Sequence, residues 1–191
     1  MSDSVRNPIR LKNIDRRFLP AACVVALALA ASEPSKGSLL AGAALVVAGL
    51  ILRTWGAGHL VKRDQLTTTG PYAHLRHPLY AGTLLICGGF GVSLGPAGWL
   101  LVALTALWFS VLYFPAKERR ESDLLEQRYG YAYVAYRSRV PALVPSPVAR
   151  PSASGVPERW RLAHYAANNE LGTLLGVAVG AALLALRAAA A

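Results

Sequence analysis

The chain has 191 residues, which is the length of one domain, and 54% of them are hydrophobic, with a mean hydropathy of +0.36. A composition this apolar argues against a soluble protein of this size and favours an integral membrane protein. The formal net charge of +10 is accounted for by basic loops that face the cytoplasm and anionic lipid headgroups. It therefore does not indicate nucleic-acid binding.

Five apolar stretches predict an all-α integral membrane protein with about five transmembrane helices. They cover residues 18–31, 38–55, 79–94, 97–114 and 171–191. The first is short for a span, so we expect it to tilt or to extend through its flanks. Three glycines of the third stretch, Gly88, Gly89 and Gly91, either leave room for a lipid tail or let neighbouring helices pack closely.

The distribution of lysine and arginine predicts the orientation. Nearly all of them lie in the tail 1–17, the loop 56–77 and the segment 115–170, whereas the two short turns carry only Lys36. By the positive-inside rule, the N-terminus and both long polar segments face the cytoplasm, and the C-terminus faces the other side. The two polar segments would then meet on the cytoplasmic face.

The first of these segments is rich in turn and aromatic residues over 67–82. Gly70-Pro71 predicts a tight turn, and Pro78 suits the first position of a helix. Arg76 and His77 would lie at the start of that helix, where free N–H groups can hold an anion. The alternative is that His77 is only a cap and that Arg76 anchors a lipid phosphate.

The second segment, 117–137, predicts one amphipathic helix. Helical spacing puts two sets of side chains on shared faces: Lys117, Glu121, Leu125 and Arg128, and Tyr129, Tyr133 and Tyr136. Either this helix lies at the interface with its tyrosines among the headgroups, or it forms half of a pocket. In a pocket, the tyrosines would attract a cation, Glu121 would bind ribose hydroxyls or an ammonium, and Lys117 would hold a carboxylate or phosphate.

A metal site is not predicted. Cys23 and Cys87 both fall inside apolar stretches, and they indicate neither a disulfide framework nor a cysteine-based metal site. The histidines lack the close pairing or carboxylate company that metal ligands have; they are His59, His74, His77 and His164.

Taken together, the two polar segments resemble the isoprenylcysteine carboxyl methyltransferase family and its relatives, the membrane phospholipid N-methyltransferases. The matching residues are, in chain order, Gly70-Pro71-Tyr72, Arg76 through Gly82, Glu121, Leu125, Tyr129-Gly130, Tyr133, Tyr136, Val140-Pro141 and Pro145. The resemblance extends over roughly residues 38–146 of a single domain, 1–191. It leaves 147–170 as a tether and polar segment, and 171–191 as an additional C-terminal transmembrane helix.

The resemblance implies an integral membrane methyltransferase that uses S-adenosylmethionine, bound on the cytoplasmic face beneath the polar C-terminal segment. The implied cofactor contacts are Lys62, Gln65, Leu66, Thr67, Tyr72, His77, Pro78, Leu79, Tyr80 and Glu121. Lys117 stands where the family usually has an arginine that contacts substrate, and it is the implied substrate-binding and catalytic residue. Because lysine lacks the bidentate grip of arginine on a carboxylate, Arg120 is a second catalytic candidate. Ser122 replaces the second of two adjacent acids that the family often has.

The methyl acceptor is expected to be a lipophilic or prenylated molecule that reaches the site from the membrane lipid. An ionised carboxylate needs no general base, whereas an amine must first lose a proton. Since no dedicated base is evident near the motifs, carboxyl O-methylation of an isoprenylcysteine-like substrate is favoured over N-methylation of a phospholipid amine. Alternatives of other classes are an NADPH-dependent membrane reductase and a non-enzymatic membrane scaffold, and the oligomeric state is left open.

Overall fold

The computed structural model describes residues 19–61, 65–150, 159–168 and 170–190. Predictions that concern other residues, among them Lys62 and the basic tail, lie outside the described residues. The helices are, in chain order, α1 (Leu19–Ala30), α2 (Lys36–His59), α3 (Pro78–Ser93), α4 (Pro96–Trp108), α5 (Phe114–Tyr129), α6 (Tyr131–Arg137), α7 (Leu162–Ala167) and α8 (Leu171–Ala189). A 3₁₀ turn (Gly70–Ala73) precedes α3, and a π-helical turn (Phe109–Tyr113) joins α4 to α5.

The expected class, an all-α membrane protein, is confirmed, but the count of five spans is not. Within the described ranges, three helices are long and apolar enough to cross a bilayer: Lys36–His59, Pro96–Tyr129 and Leu171–Ala189. The apolar helix α3 has 16 residues, and α1 has 12 described residues. At 1.5 Å per residue these correspond to about 24 and 18 Å, less than the hydrocarbon thickness of about 30 Å.

The fourth apolar stretch and the polar segment after it form one helix rather than two. The helix runs without a break from Pro96 to Tyr129, about 50 Å at 1.5 Å per residue, so its polar end extends beyond the hydrocarbon layer. The prediction of one helix over 117–137 is wrong in its second half. Gly130 adopts φ 53° and ends α5, because a glycine tolerates this conformation where other residues are strained. The chain then begins α6 in a new direction.

Helices α2 and α3 pack closely because glycines face one another. A Cβ on Gly49 would lie 2.6 Å from the carbonyl oxygen of Gly82, and one on Gly42 would lie 2.4 Å from that of Gly89. Both distances are far shorter than any van der Waals contact, so only glycine lets the two backbones approach this closely. By contrast, a Cβ on Gly88 would meet nothing within 4 Å. Close packing, and not space for a lipid tail, therefore explains Gly89.

The C-terminal helix α8 is fixed at both ends by arginine. At its start, Arg53 of α2 donates from Nε and Nη2 to the carboxylate of Glu170, at 2.9 and 2.8 Å. At its other end, Arg187 donates to the carbonyl oxygens of Leu29 and Ser32, at 3.0 and 2.6 Å. Carbonyls at the end of α1 lack partners from the next helical turn, and Arg187 adds donors to two of them, although that of Leu29 also accepts from the N–H and hydroxyl of Ser32.

Residues 159–168 pack against the C-terminal end of α2. The indole Nε1 of Trp160 donates to the carbonyl of Thr54 at 3.0 Å, and the backbone N–H of Arg161 donates to Gly58 at 2.9 Å. The amide of Asn168 donates to the carbonyl oxygen of Leu60 at 3.0 Å. This part of the predicted tether is thus an ordered cap on the carbonyls that end the helix.

Candidate functional site

The polar segment between α2 and α3 is held in place by its own turns and by hydrogen bonds to the loop that follows α6. Gly70 has φ 60° and opens the 3₁₀ turn, and Pro78 occupies the first turn of α3 as predicted. The backbone N–H groups of Arg76 and His77 donate to the carbonyls of Pro141 and Ala142, at 2.8 and 3.0 Å. The loop after α6 therefore lies along the approach to α3 and holds Arg76 and His77 in place.

A cavity of about 490 Å³ opens between this segment and helices α5 and α6. Its volume lies in the range of small-molecule sites. The residues that form it include nine of the ten predicted cofactor contacts: Gln65, Leu66, Thr67, Tyr72, His77, Pro78, Leu79, Tyr80 and Glu121. The tenth, Lys62, lies outside the described residues. Leu125 and Arg128, from the predicted face of α5, also line the cavity.

The two predicted catalytic residues are placed differently. Lys117 is 42% exposed and its Nζ lies 3.3 Å from Oε1 of Glu121. Arg120 is exposed on α5. Neither is among the residues that line the cavity, so their catalytic roles stay predictions. The arginines on the cavity wall are Arg76 and Arg128.

Glu118 is the buried acid of the site, and sequence reasoning missed it. Its carboxylate accepts hydrogen bonds from the guanidinium of Arg76 and from Nε2 of His77, and its side chain is 12% exposed. One signal was available, because residues three apart on a helix lie on the same side and Glu118 precedes Glu121 by three. Its partners, however, lie about forty residues earlier in the chain, where helical periodicity gives no information.

His77 lies between two carboxylates. Nε2 contacts Glu118, and Nδ1 lies 3.6 Å from Oε2 of Glu121. Burial lowers the pKa of His77 below its usual 6.5, and the two carboxylates oppose this shift without reversing it. The imidazole is therefore neutral at pH 7, and because its Nε2–H donates a hydrogen bond to Glu118, Nδ1 is left as an acceptor.

Glu121 connects the two halves of the site. Its Oε1 accepts from the hydroxyl of Tyr80 at 2.9 Å in addition to the contact with Lys117.

The rings of His77 and Tyr80 pack against Phe114, with centroids 5.4 and 6.3 Å away. Phe114 follows the π-helical turn directly, and such turns frequently occur at functional sites. The turn thus joins the apolar half of the long helix to the half that carries the carboxylates.

Two of the tyrosines of α6, Tyr133 and Tyr136, form the buried side of the cavity. Tyr133 and Tyr136 are 2% and 3% exposed, which contradicts the alternative that places them among lipid headgroups. The hydroxyl of Tyr136 donates to the carbonyl of Tyr72 at 2.7 Å, and Tyr133 shares a hydrogen bond with Ser122 at 2.8 Å. Burial raises the pKa of both Tyr72 and Tyr136 well above the usual value. These phenols therefore stay protonated, and Ser122 has a structural partner.

The arrangement is suited to binding an amphipathic molecule and aligning it, with apolar and aromatic walls and one polar corner. Among the described residues, no group of three or more His, Cys, Asp or Glu side chains is placed to hold a metal ion. Arg76 and Lys117 form ion pairs with Glu118 and Glu121 at this corner, although Lys117 and Glu118 do not line the cavity itself. With Arg76, Arg128 and Glu121 on its wall, the cavity can provide both donors and acceptors to a zwitterionic ligand.

The fold defines a helical membrane protein that has a cavity of small-molecule size beside the polar half of its long helix. A family model described as phospholipid methyltransferase matches residues 37–132, half of the chain. The chain belongs to the phospholipid methyltransferase family, and the resemblance stated from the motifs is confirmed. No solved structure matches the chain.

Curated relatives are about one-third identical to the chain within the stretches that match. The nickel-cobalt-cadmium resistance protein NccN of Alcaligenes xylosoxydans xylosoxydans is 32% identical over 131 residues, 64% of this chain and 60% of that protein. Protein-S-isoprenylcysteine O-methyltransferase B of Arabidopsis thaliana is 32% identical over 117 residues, 57% of this chain and 54% of that protein. Protein-S-isoprenylcysteine O-methyltransferase of Schizosaccharomyces pombe is 31% identical over 109 residues, 57% and 45% of the two chains. The chain therefore spans no more than 60% of the length of these relatives.

Proposed function

We propose that the chain is a methyltransferase that transfers a methyl group from S-adenosylmethionine to a lipophilic acceptor in the membrane. One observation carries the proposal. Nine of the ten residues that the family resemblance implied for the cofactor line one cavity, and they come from segments as far apart as Gln65 and Glu121. Family membership supports the same reaction class.

The cavity suits the parts of this cofactor. Its lining is largely apolar and aromatic, with Tyr72, Tyr133 and Tyr136 on one side, and aromatic faces attract cations such as a sulfonium. Glu121 and His77 offer acceptors to an ammonium or to ribose hydroxyls. The cofactor supplies an activated methyl group, and the chain has to hold both reactants in line and exclude water.

We propose that the cavity faces the cytoplasm. The segment that carries α5 and α6 is rich in arginine, which is typical of cytoplasmic segments; these residues are Arg119, Arg120, Arg128, Arg137 and Arg139. The apolar half of the helix Pro96–Tyr129 lies next to the cavity. A lipophilic acceptor can therefore approach from the inner leaflet, and the polar end of the acceptor meets the cofactor at the membrane surface.

Two acceptor classes remain in competition, and each has support. The names of two relatives, from Arabidopsis thaliana and Schizosaccharomyces pombe, support carboxyl O-methylation of an isoprenylcysteine-like substrate. A phospholipid amine is supported by the family description and by two acceptor atoms in the cavity, His77 Nδ1 and Glu121 Oε2.

Binding of the demethylated product tests the cofactor assignment. The purified protein, in detergent or nanodiscs, is titrated with S-adenosylhomocysteine and, separately, with NADPH. We expect S-adenosylhomocysteine to bind, and Glu121→Ala and His77→Ala to weaken it by roughly tenfold or more, as expected for lost hydrogen bonds to charged groups. Glu126→Ala, an exposed acid on the same helix, is the matched control. Wild-type affinity in the first two variants would remove the site assignment, and binding of NADPH alone would favour a reductase.

Turnover identifies the acceptor. The protein is incubated with methyl-labelled S-adenosylmethionine and either a farnesylcysteine derivative or phosphatidylethanolamine vesicles. A methyl label on the farnesylcysteine derivative is expected to be released by base, because it forms a methyl ester. A methyl label on phosphatidylethanolamine is expected to be stable to base, because it is bound to nitrogen. Label in neither, together with no binding of S-adenosylhomocysteine, would contradict the methyltransferase proposal.

A further inference from the structure

The geometry around Glu118 determines which nitrogen of His77 carries the proton. Glu118 accepts from Arg76 through one oxygen and contacts Nε2 of His77 through the other. Glu118 forms an ion pair with Arg76, and a carboxylate can only accept hydrogen bonds. The proton of a neutral His77 therefore lies on Nε2, and Nδ1 carries a lone pair.

A second acceptor lies near this nitrogen. Nδ1 of His77 lies 3.6 Å from Oε2 of Glu121, too far for a hydrogen bond between them. Glu121 uses its other oxygen, Oε1, for Tyr80 and Lys117. Within the described parts of the chain, no side chain or backbone group donates a hydrogen bond to either atom. Two acceptor atoms therefore lie 3.6 Å apart on residues that line the cavity.

A pair of this kind matches an ammonium group, which has three donors and a positive charge. The charged groups that face His77 are Arg76, Glu118 and Glu121, with Lys117 beside Glu121. Their charges balance, so an added cation meets a neutral histidine and the nearer carboxylate. An anion at the same point would meet two lone pairs and be repelled.

We propose that Glu118 is a positioning residue that holds His77 in its Nε2–H form, so that His77 Nδ1 and Glu121 Oε2 together bind the ammonium group of a ligand. The inference rests on the proposed function, which supplies two sources of this group: the methionine part of the cofactor and an amine acceptor. In both, Glu118 acts through His77 and does not touch the ligand.

Nitrogen NMR tests the protonation of His77 directly. In ¹⁵N-histidine-labelled protein near neutral pH, the two ring nitrogens of a neutral histidine differ strongly in chemical shift according to which carries the proton. The His77 signals are those lost in a His77→Asn variant. We expect a bare Nδ1 in the wild type and a mixture of both forms in Glu118→Gln. A bare Nε2 in the wild type would overturn the proposal.

Ligand pairs test the ammonium site. Affinities are measured for S-adenosylhomocysteine and for its analogue in which hydrogen replaces the amino group, and KM values are measured for an amine and for a carboxylate acceptor. If the cofactor supplies the group, Glu118→Gln reduces the preference for S-adenosylhomocysteine over the analogue by roughly tenfold. If the acceptor supplies it, the same loss appears in the preference for the amine. The control is Glu126→Gln, which should change neither ratio.

Equal weakening of both members of each pair would show that Glu118 only supports the structure, and it would overturn the proposal. Failure of the proposed function has a different signature. In that case the wild type binds neither S-adenosylhomocysteine nor its analogue, whatever the state of His77.

Discussion

The pairing of Arg53 with Glu170 makes a quantitative prediction about how the C-terminal helix is held. Arg53 is 16% exposed and Glu170 4%, and two hydrogen bonds of 2.9 and 2.8 Å join them. Removing one partner of a buried ion pair leaves an uncompensated charge, which costs about 3–5 kcal/mol. Arg53→Met should fall near the upper value, because it leaves the more buried carboxylate bare. Glu170→Met should fall near the lower one, because Arg53 keeps its hydrogen bond to the carbonyl of Leu79.

The double variant Arg53→Met/Glu170→Met provides the test. Since replacing a whole buried ion pair by apolar groups is often neutral, we expect its free energy of unfolding to lie within about 1 kcal/mol of the wild type. Unfolding is followed in mixed micelles by far-UV circular dichroism as the denaturing detergent is increased, with the exposed Glu126→Met as control. Additive losses in the double variant, or a Glu170→Met loss no larger than that of the control, would refute the reasoning.

Three further predictions concern the helix contact, the tyrosines and the histidine. Gly49→Ala should lower the free energy of unfolding by about 1–3 kcal/mol, because the added Cβ would lie 2.6 Å from a carbonyl oxygen of α3. The control is Gly88→Ala, whose Cβ would face open space and should leave the free energy of unfolding nearly unchanged. Tyr136→Phe leaves a buried carbonyl without its 2.7 Å hydrogen bond and should cost about 1–3 kcal/mol; Tyr131→Phe, which is 85% exposed, should cost almost nothing in the same assay. The pKa of His77 is lowered from 6.5 in the folded state, so the unfolded chain takes up this proton first, and stability should fall as the pH drops below 6.5. A His77→Gln variant should show a shallower decline, and identical pH dependence in the two proteins would contradict the assignment.

Helical periodicity predicted the face of α5 well. Glu121, Leu125 and Arg128 were grouped by spacing alone, and all three line the cavity. Lys117 belongs to the same pattern but pairs with Glu121 instead. Periodicity reports which side of a helix a residue occupies, and it does not report where along the helix the cavity ends.

Other features depend on contacts between distant segments. Glu118 was passed over because its importance comes from Arg76 and His77, which a different loop presents. The break at Gly130 could have been predicted, since a glycine after a helical pattern is a common end signal. The π-helical turn over 109–113 has no comparable signal in an apolar sequence, and it changes the register of everything that follows.

The guanidinium of Arg53 links the family core to a part of the chain outside it. It contacts the carbonyl of Leu79, a residue that lines the cavity, and the carboxylate of Glu170, which lies beyond the matched residues 37–132. Among homologues, substitutions at positions 53 and 170 should consequently be correlated. Homologues that end before the last helix should carry an uncharged residue in place of Arg53, and those that keep the helix should retain an acid immediately before its first residue.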